Sequence, residues 1–442
     1  MKNISKTTQN SAVDTSEQAL ASARRMPPKI ARPTPLVQVS SAVIDTIHKN
    51  LHHAKITTDE AAERLLAIAQ QGSPLIESAS SDDERIVTFL YHDRQAEQVL
   101  IFVNRLTDEK NIDDSLMKPI GKTGWFSKSF LMKTNWRASY CYIPAYTGQT
   151  PAWVTQGQQV RLRAALDSGY ADVYNQHRCL NRAGKELSVV SLSEAPEQRY
   201  LPEMEQLRSL DKPKWVQAPE DRQILVHSLP HATKDSPIAL VFDGEVWLSM
   251  GLQLMLESAF AEGVLDPMHV VFVHSGGRER RWAELDGTAP MGQYLISSLI
   301  PWLEEQYGIG ISRGSLMVMG QSLGGLSSLL LALDYPQEVG AVISQSASLW
   351  QPVVAESLQR IVSENEQECL SHLYFDIQVG AQEWVLEPPH QIFVRQLRQT
   401  PATVNFTVFN GGHDYACWRG DLIPAINRAQ KYMARRKDHH DS

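Results

Sequence analysis

The pentapeptide Gly-Gln-Ser-Leu-Gly at residues 320–324 constrains the fold of this chain more than any other segment. The apolar run at residues 316–319 is typical of a buried strand, and residues 325–333 are typical of a buried helix. A serine between glycines at a strand-to-helix turn is typical of a nucleophile elbow, whose strained backbone exposes the hydroxyl at the end of a sheet. Side chains at the glycine positions would collide with the neighbouring strand and helix. The sequence therefore predicts Ser322 as a nucleophile.

The carboxyl-terminal half alternates apolar, strand-like runs with helical segments. The predicted strands are residues 223–228, 238–242, 270–274, 316–319, 341–344, 374–379 and 405–409. Continuous apolar strands that alternate with helices indicate a mostly parallel sheet covered on both faces. With the serine motif, this pattern predicts an α/β fold and an α/β-hydrolase catalytic domain at residues 223–436.

The first residues of the chain have a different composition. Residues 1–45 are rich in Ser, Thr, Gln, Ala and Pro, which predicts a disordered leader. The pattern over residues 44–71 predicts a helix, with Thr57 or Thr58 as a candidate N-cap.

The next segment is rich in β-forming residues. Runs at residues 86–91, 99–103 and 138–143 are separated by polar turns. Short strands at this spacing predict a small β-sandwich, which with the preceding helix occupies residues 46–150. Residues 151–222 have few long apolar runs and are expected to connect the two domains.

Composition excludes several classes of protein. A chain of 442 residues with 43% hydrophobic and 21% charged residues is typical of a globular protein with two domains. No run approaches the ~20 apolar residues of a membrane span, and the amino terminus has no apolar signal region. Four widely spaced cysteines favour a reducing cytoplasm over a zinc site or disulfide framework. The net charge of −8 argues against nucleic-acid binding.

A serine nucleophile needs a base and an acid, which follow it in this fold. His413 follows the predicted strand 405–409, and its Gly-Gly entry would let the backbone approach the serine loop. The acid is expected after the strand 374–379, where Glu383 comes first. Glu387 is the alternative, and Asp376 within the strand is less favoured.

The developing oxyanion needs two backbone donors. One is expected to be the N–H of Leu323, which follows the nucleophile. The second is expected in the loop after the strand 238–242, from the N–H of Gly244 or Glu245.

Several segments together resemble the enterochelin (enterobactin) esterases. These segments are Asp243-Gly244, the motif at 320–325, Ser-Ala-Ser-Leu-Trp at 346–350, Asn-Trp-Arg-Ala-Ser-Tyr-Cys-Tyr-Ile-Pro at 135–144, and Gly-Gly-His-Asp with Cys-Trp-Arg-Gly at 411–420. The resemblance covers residues 84–430. It implies an immunoglobulin-like amino-terminal domain and a cytoplasmic enzyme that hydrolyses the trilactone of a ferric tricatecholate siderophore. It implies no metal cofactor, because iron arrives with the substrate.

Such a substrate is anionic and aromatic, so an acidic protein needs a local cluster of cations and aromatic rings to bind it. Guanidinium groups hydrogen-bond to catecholate oxygens and stack on rings. Candidate binding residues are Arg278, Arg280, Arg281 and Trp282 after the strand 270–274, Trp418 and Arg419 beyond His413, Arg137 and Trp136 at the edge of the β-domain, and Trp350. Of the arginines, Arg278 and Arg419 are favoured over Arg137.

Two other functions stay open on the residues alone. A general or carbohydrate-linked acyl esterase would have a neutral pocket and is disfavoured by the arginines. An inactive hydrolase-fold protein that binds siderophores would have a broken triad, whereas here a serine, an acid and a histidine stand in order.

Overall fold

Eight strands form the amino-terminal half of the protein in the computed structural model, which describes residues 27–28, 30–154, 165–166, 168–287, 291–311 and 314–440. They are β1 (Leu75–Ser78), β2 (Glu84–His92), β3 (Ala96–Val103), β4 (Lys118–Pro119), β5 (Trp125–Lys133), β6 (Arg137–Tyr146), β7 (Arg178–Leu180) and β8 (Glu186–Ser191). They pair antiparallel in two sheets, with orders β1-β2-β5-β4 and β3-β6-β8-β7.

Both sheets contribute to one apolar core. Phe89 of β2 and Phe130 of β5 are buried with Ile101 of β3 and Tyr140 of β6. The Phe89 and Tyr140 rings meet edge to face, with their centroids 4.7 Å apart. The predicted β-rich character of this region is confirmed.

Two features of this half differ from the sequence prediction. The β5 strand was not predicted, because Ser and Lys interrupt its apolar residues and the longest apolar run has three residues. The short strands β7 and β8 lie within residues 151–222, where a connection was expected, and β8 pairs with β6. Both strands are short and mixed in polarity, so the sequence lacked the apolar run that identifies a strand.

Two helices precede the sheets where one was predicted. They are α1 (Ala42–His52) and α2 (Thr58–Gln71). Ala54, with φ of 50°, separates them, and Thr57 caps α2 by accepting from the Glu60 amide. Residues 1–26 of the predicted leader lie outside the described residues.

The carboxyl-terminal half contains one eight-stranded sheet. Its strands are β9 (Val216–Ala218), β10 (Arg222–Ser228), β11 (Ile238–Val241), β12 (His269–Val273), β13 (Leu316–Gln321), β14 (Val339–Gln345), β15 (Tyr374–Gly380) and β16 (Thr403–Phe409). Their order is β16-β15-β14-β13-β11-β12-β10-β9. The β9–β10 and β10–β12 pairs are antiparallel, and the other five pairs are parallel. The predicted α/β fold with a mostly parallel sheet is confirmed.

Ten helices or short helical turns accompany this sheet in the described residues. They are α3 (Met204–Arg208), α4 (Gly244–Ser249), α5 (Leu252–Ala261), α6 (Arg278–Leu285), α7 (Met291–Tyr294) continued by a π turn at Leu295–Leu299, α8 (Ile300–Tyr307), α9 (Leu323–Asp334), α10 (Val353–Ser363), α11 (Glu387–Leu397) and α12 (Tyr415–His440). Single 3₁₀ turns lie at Ile112–Ser115 and Gln367–Leu370.

The central strands are buried on both faces. In β11, Ile238 and Leu240 pack into one core, whereas Ala239 and Val241 pack into the core on the opposite face. Because alternate side chains of a strand point to opposite faces, a strand covered on both faces needs an unbroken apolar sequence.

The two halves meet beyond the carboxyl end of β16. The Ser139 amide of β6 donates to Asp414 Oδ2 (2.6 Å), and the Arg137 amide donates to the carbonyl oxygen of Asn410 (3.2 Å). Asp414 is buried, and burial raises the pKa of its carboxyl group. The amino-terminal sheets therefore contact the segment that follows β16.

Truncation of a side chain in the core beside the eight-stranded sheet should destabilise the protein. Leu329 of α9 is fully buried, so we expect Leu329→Ala to lower the free energy of unfolding by about 2–5 kcal/mol through the cavity it leaves. Leu66→Ala in α2, where the side chain is 37% exposed, is the matched control and should cost less than about 1 kcal/mol. Urea denaturation followed by tryptophan fluorescence measures both, and equal losses would contradict the core assignment.

Candidate active site

Ser322 lies between β13 and α9 in a strained backbone conformation. Its φ of 59° and ψ of −118° are rare for a residue with a side chain. Its amide donates to the Gln345 carbonyl (3.0 Å), which fixes the turn. A Cβ on Gly320 would lie 2.4 Å from the carbonyl carbon of Gly324, so this glycine is needed where strand and helix approach. These features have the geometry of a nucleophile elbow.

His413 and Glu383 form a close pair. His413 Nδ1 lies 2.7 Å from Glu383 Oε1. The other carboxylate oxygen accepts from the Ser346 hydroxyl (2.6 Å) and the Gly380 amide (2.7 Å). Burial disfavours the charged form of Glu383, but the hydrogen bond and charge of His413 outweigh it and lower the pKa of the carboxyl group. Glu383 is therefore an ionised acceptor that fixes the imidazole ring.

The other two carboxylates considered for the acid lie elsewhere. Glu387 begins α11 and accepts from Gln391 Nε2 on the helix surface. Asp376 is buried within β15 and pairs with Arg428, 2.7 Å away. Of the three, only Glu383 contacts His413.

The glycines before His413 have a different role from the predicted one. A Cβ on Gly412 would lie 2.1 Å from the Arg105 side chain, and one on Gly411 would lie 2.4 Å from Cys417 Sγ. The two glycines therefore make room for the amino-terminal domain and for α12, rather than for the serine loop. Asn104 Nδ2 uses this space to donate to the His413 carbonyl (3.1 Å).

Ser322 follows β13 and His413 follows β16, at the same edge of the sheet but with β14 and β15 between the two strands. Among the described residues, the hydrogen-bond contact of Ser322 Oγ is with Ser348 Oγ at 3.4 Å, and no bond joins it to His413. His413 Nε2 is left for the nucleophile, since Nδ1 faces Glu383. Catalytic hydrogen bonds of this kind often shorten only when substrate binds.

The two residues whose amides were predicted as oxyanion donors lie at helix amino termini. Leu323 is the first residue of α9, and Gly244 is the first residue of α4. First-turn amides have no partner within their own helix. A Cβ on Gly244 would lie 2.7 Å from Phe272 Cβ, so only glycine allows this loop to pack against β12. Both amides are positioned at the end of the sheet from which Ser322 leaves.

Asp243 anchors the oxyanion loop. Its backbone is left-handed (φ 57°), and its side chain is 1% exposed. Arg281 donates to both carboxylate oxygens, at 2.6 and 2.7 Å. Arg281, predicted to bind substrate, therefore stabilises the loop instead.

Arg182 completes this anchor and was not predicted from the sequence. It lies in the turn between β7 and β8, and its Nη2 donates to Asp243 Oδ1 (3.0 Å) and to Ser275 Oγ (3.1 Å). The residue stands in a polar turn more than sixty positions before Asp243, and no motif marks it.

Two of the predicted substrate-binding side chains remain accessible. Arg278 is exposed at the start of α6, and Trp350 is half-buried in the loop after β14. Arg280 is held by Glu284 (2.6 Å) and by the Asp221 carbonyl, while Trp282 packs against the apolar core.

Four other candidate binding residues are engaged in internal contacts. Arg137 is 8% exposed and donates to Ser191 Oγ and the Pro196 carbonyl. Arg419 donates to Gln198 and to the Arg178 carbonyl. Trp418 is buried, donates to Ser346 Oγ and packs edge to face on His413 at 4.7 Å. Trp136, also named as a candidate, is buried in the β-domain core. These interactions link the two domains and hold the Trp418 indole against His413.

In the described part of the chain, no group of three or more His, Cys, Asp and Glu side chains has a metal-binding arrangement. No helix among these residues is long and apolar enough to cross a membrane.

Two family models match the chain over about three quarters of its length. The enterochelin esterase amino-terminal model matches residues 86–201, and a model described as putative esterase matches residues 217–429.

Sequence relatives agree with these matches. The iron(III) enterobactin esterase of Dickeya dadantii (strain 3937) is 27% identical over 403 residues, which covers 80% of this chain and 90% of the relative. The iron(III) salmochelin esterase of Escherichia coli O6:H1 is 26% identical over 366 residues, which covers 79% of this chain and 88% of the relative.

Solved structures agree in fold. The ferric enterobactin esterase from Salmonella typhimurium superposes with a TM-score of 0.68 at 22% identity and covers 81% of this chain and 96% of that one. The Shigella flexneri enterobactin esterase, solved in the presence of enterobactin, superposes with a TM-score of 0.65 at 23% identity. The match covers 82% of this chain and 97% of that one.

An α/β fold with a serine on a strained elbow, in a chain that matches an esterase model, defines a carboxylic ester hydrolase. Each half matches a family model, and the resemblance of the chain to the enterochelin esterases is confirmed.

Removal of the charge on Glu383 should slow catalysis without unfolding the protein. Glu383→Gln keeps the shape but loses the acceptor that fixes the imidazole, so we expect kcat to fall by roughly 10³–10⁴. Hydrolysis of p-nitrophenyl butyrate measures this, and circular dichroism confirms folding. Glu387→Gln is the matched control and should retain wild-type activity. Equal losses in the two variants would exclude Glu383 as the acid.

Asp243 should contribute pH-dependent stability. Burial opposes its ionisation, but Arg281 and Arg182 lower the pKa of the carboxyl group from 3.8 to about 2. Because the folded-state pKa is the lower one, the ionised group stabilises the fold by roughly 2 kcal/mol above about pH 4 and loses this contribution as the pH falls toward 2. Asp243→Asn should therefore destabilise the protein at pH 7 and less so at pH 3, as measured by urea unfolding. If the loss of unfolding free energy caused by Asp243→Asn were the same at pH 7 and pH 3, the assignment of an ionised, stabilising Asp243 would be contradicted.

Proposed function

We propose that this protein hydrolyses the trilactone ester bonds of ferric enterobactin-type catecholate siderophores and so releases their iron. The observation that carries the proposal is the Glu383–His413 pair, which follows β15 and β16 at the sheet edge where the strained Ser322 follows β13. The amino-terminal half of the same chain matches the enterochelin esterase model. The names of the relatives, iron(III) enterobactin and salmochelin esterases, support the substrate class. Within the proposal, the reaction takes place in the cytoplasm.

Each proposed catalytic group has one role. His413 Nε2 accepts the proton of Ser322 Oγ as that oxygen attacks an ester carbonyl carbon. The carbonyl electrons move to oxygen, and the amides of Leu323 and Gly244 stabilise the oxyanion. Collapse of the intermediate expels the serine side-chain oxygen of the siderophore as an alkoxide, and this alkoxide takes the proton from His413. Water then attacks the acyl-enzyme with His413 as base, and Glu383 stabilises the imidazolium in both steps.

The siderophore is proposed to bind near the carboxyl ends of β12 to β14, where ligands bind in open α/β sheets. Arg278 supplies an accessible cation there, and Trp350 supplies an aromatic ring. The anionic catecholates would meet Arg278 before the ester reaches Ser322.

The domain organisation is part of the proposal. The predicted boundaries at residues 45, 150 and 222 change in two ways. Strands β7 and β8 join the amino-terminal unit, and β9 and the start of β10 join the catalytic domain, which was predicted at residues 223–436. Two sheets that share one core support an immunoglobulin-like sandwich for this unit.

The first test is cleavage of ferric and iron-free enterobactin by the wild type beside Ser322→Ala, with the products separated by chromatography. We expect the wild type alone to release linear trimer, dimer or monomer of dihydroxybenzoylserine. Binding without cleavage by the wild type would favour an inactive siderophore-binding protein. Hydrolysis of p-nitrophenyl esters without any siderophore cleavage would favour a general esterase.

A second test separates substrate binding from chemistry. Loss of one accessible charge–charge contact costs about 1 kcal/mol, so Arg278→Ala should raise KM for ferric enterobactin roughly fivefold with little change in kcat. KM for a neutral p-nitrophenyl ester should not change. Arg199→Ala, which removes an exposed arginine paired with Glu262, is the control. Equal effects on the charged and neutral substrates would exclude Arg278 from siderophore binding.

A further inference from the structure

The end of the predicted leader docks on the loop that carries Glu383. Residues 30–34, here called the docked segment, contact this loop twice. Trp384 Nε1 donates to the Ile30 carbonyl (2.9 Å), and Arg32 Nη2 donates to Gln382 Oε1 (3.3 Å). The Arg32 amide donates to Asp108 Oδ2 (3.3 Å), which ties the segment to the amino-terminal domain as well. A segment expected to be disordered therefore bridges both domains beside the candidate acid.

Arg105 extends from the amino-terminal domain to the same loop. Its guanidinium carbon lies 5.3 Å from the centre of the Trp384 ring, and its Nη2 lies 3.9 Å from Glu383 Oε1. This is the carboxylate oxygen that faces His413 Nδ1. The charged end of Arg105 therefore lies within ion-pair distance of the carboxylate oxygen that contacts the candidate general base.

The backbone of Arg105 is unusual for an arginine. Its φ of 64° lies in the left-handed region that glycine adopts without strain. A side chain at such a position costs stability, and strained positions cluster at functional sites. Here the side chain fills the space that Gly412 leaves open, where a Cβ on Gly412 would collide with it.

Arg32 fixes Arg105 in this position. Its Nη1 donates to the Arg105 carbonyl, and its guanidinium carbon lies 5.6 Å from the centre of the same Trp384 ring. Burial and the neighbouring charge of Arg105 lower the pKa of Arg32, whereas Asp108 opposes this shift. The two guanidinium groups and the indole form one stacked cluster on the acid loop.

We propose that Arg105, held by Arg32 and Trp384, is a positioning residue that orients Glu383 toward His413. Its cation attracts the same carboxylate oxygen as the imidazole and restrains the loop through Trp384. The docked segment acts through Arg105 and does not touch the reacting atoms. This inference rests on the proposed role of Glu383 and His413 but not on the identity of the substrate.

The positive charge of Arg105 near Glu383 and His413 should affect the pH dependence of kcat/KM. Glu383 faces His413, Arg105, the Ser346 hydroxyl and the Gly380 amide, and His390 lies behind it. Arg105 supplies the one guanidinium group in this set. A cation beside the pair disfavours a second positive charge on the imidazole. Loss of Arg105 should therefore move the acidic limb of the pH profile of kcat/KM to higher pH.

The test uses full-length protein and a reaction that does not need the siderophore. The rate at which a fluorophosphonate probe labels Ser322 reports activation of the nucleophile, and p-nitrophenyl butyrate gives kcat and KM. Arg105→Gly places the residue preferred at this φ, so it should fold with an unchanged melting temperature. Small misplacements of catalytic groups cost up to about 100-fold, so we expect kcat and the labelling rate to fall roughly 10- to 100-fold at unchanged KM. Arg105→Lys, which keeps the charge, should recover part of the loss.

Arg32→Ala tests the docked segment separately. We expect a smaller loss than for Arg105→Gly and no further loss when both changes are combined, because Arg32 acts through Arg105. Arg199→Ala is again the control and should label at the wild-type rate. Wild-type labelling and an unshifted pH profile in Arg105→Gly would overturn the proposal, and additive effects of the two changes would overturn the role of Arg32. If the wild type itself fails to label, it is the proposed esterase function that fails.

Discussion

A row of buried hydrogen bonds between side chains runs beneath the candidate active site. Trp247 Nε1 donates to Gln321 (2.6 Å), Gln321 donates to Gln345 (2.8 Å), and Gln345 donates to Gln378 (2.8 Å). Gln378 in turn donates to Asp421 (2.6 Å) on α12. The tryptophan and the three glutamines are nearly or fully buried, and an amide left unpaired there would cost about 1–3 kcal/mol. Each member is therefore held in place by the next.

This row fixes the ends of three adjacent parallel strands. Gln321 and Gln345 are the last residues of β13 and β14, and Gln378 lies two residues before the end of β15. Ser322 and Glu383 lie in the segments that leave β13 and β15, so their separation is set by strands whose ends are linked through side chains as well as backbone. The second position of the Gly-Gln-Ser-Leu-Gly motif thus has a structural role of its own, since a buried amide joins the nucleophile strand to its neighbour.

The sequence predicted the features that depend on local residue patterns. It did not predict which side chains are held by contacts between residues far apart in the chain. The elbow at Ser322 and the parallel sheet follow from apolar runs and glycine spacing, which are local. The order of the strands also placed Glu383 and His413 in adjacent loops. The burial of Arg137 was not predictable from the sequence, because its side chain donates hydrogen bonds to Ser191 and Pro196, which are more than fifty residues away in the chain. Arg182 was missed for the same reason, since its partner Asp243 lies in the other domain.

These contacts make the amino-terminal domain part of the site. Asn104 holds the His413 carbonyl, Ser139 holds Asp414 in the next position, and Arg182 holds the oxyanion loop. A hydrolase sheet fixes the strands from which catalytic loops leave, but loops beyond the strand ends need their own partners, because backbone groups outside the sheet have no ladder to satisfy them. Here those partners come from a second domain, so the geometry of the catalytic groups depends on how the two domains pack.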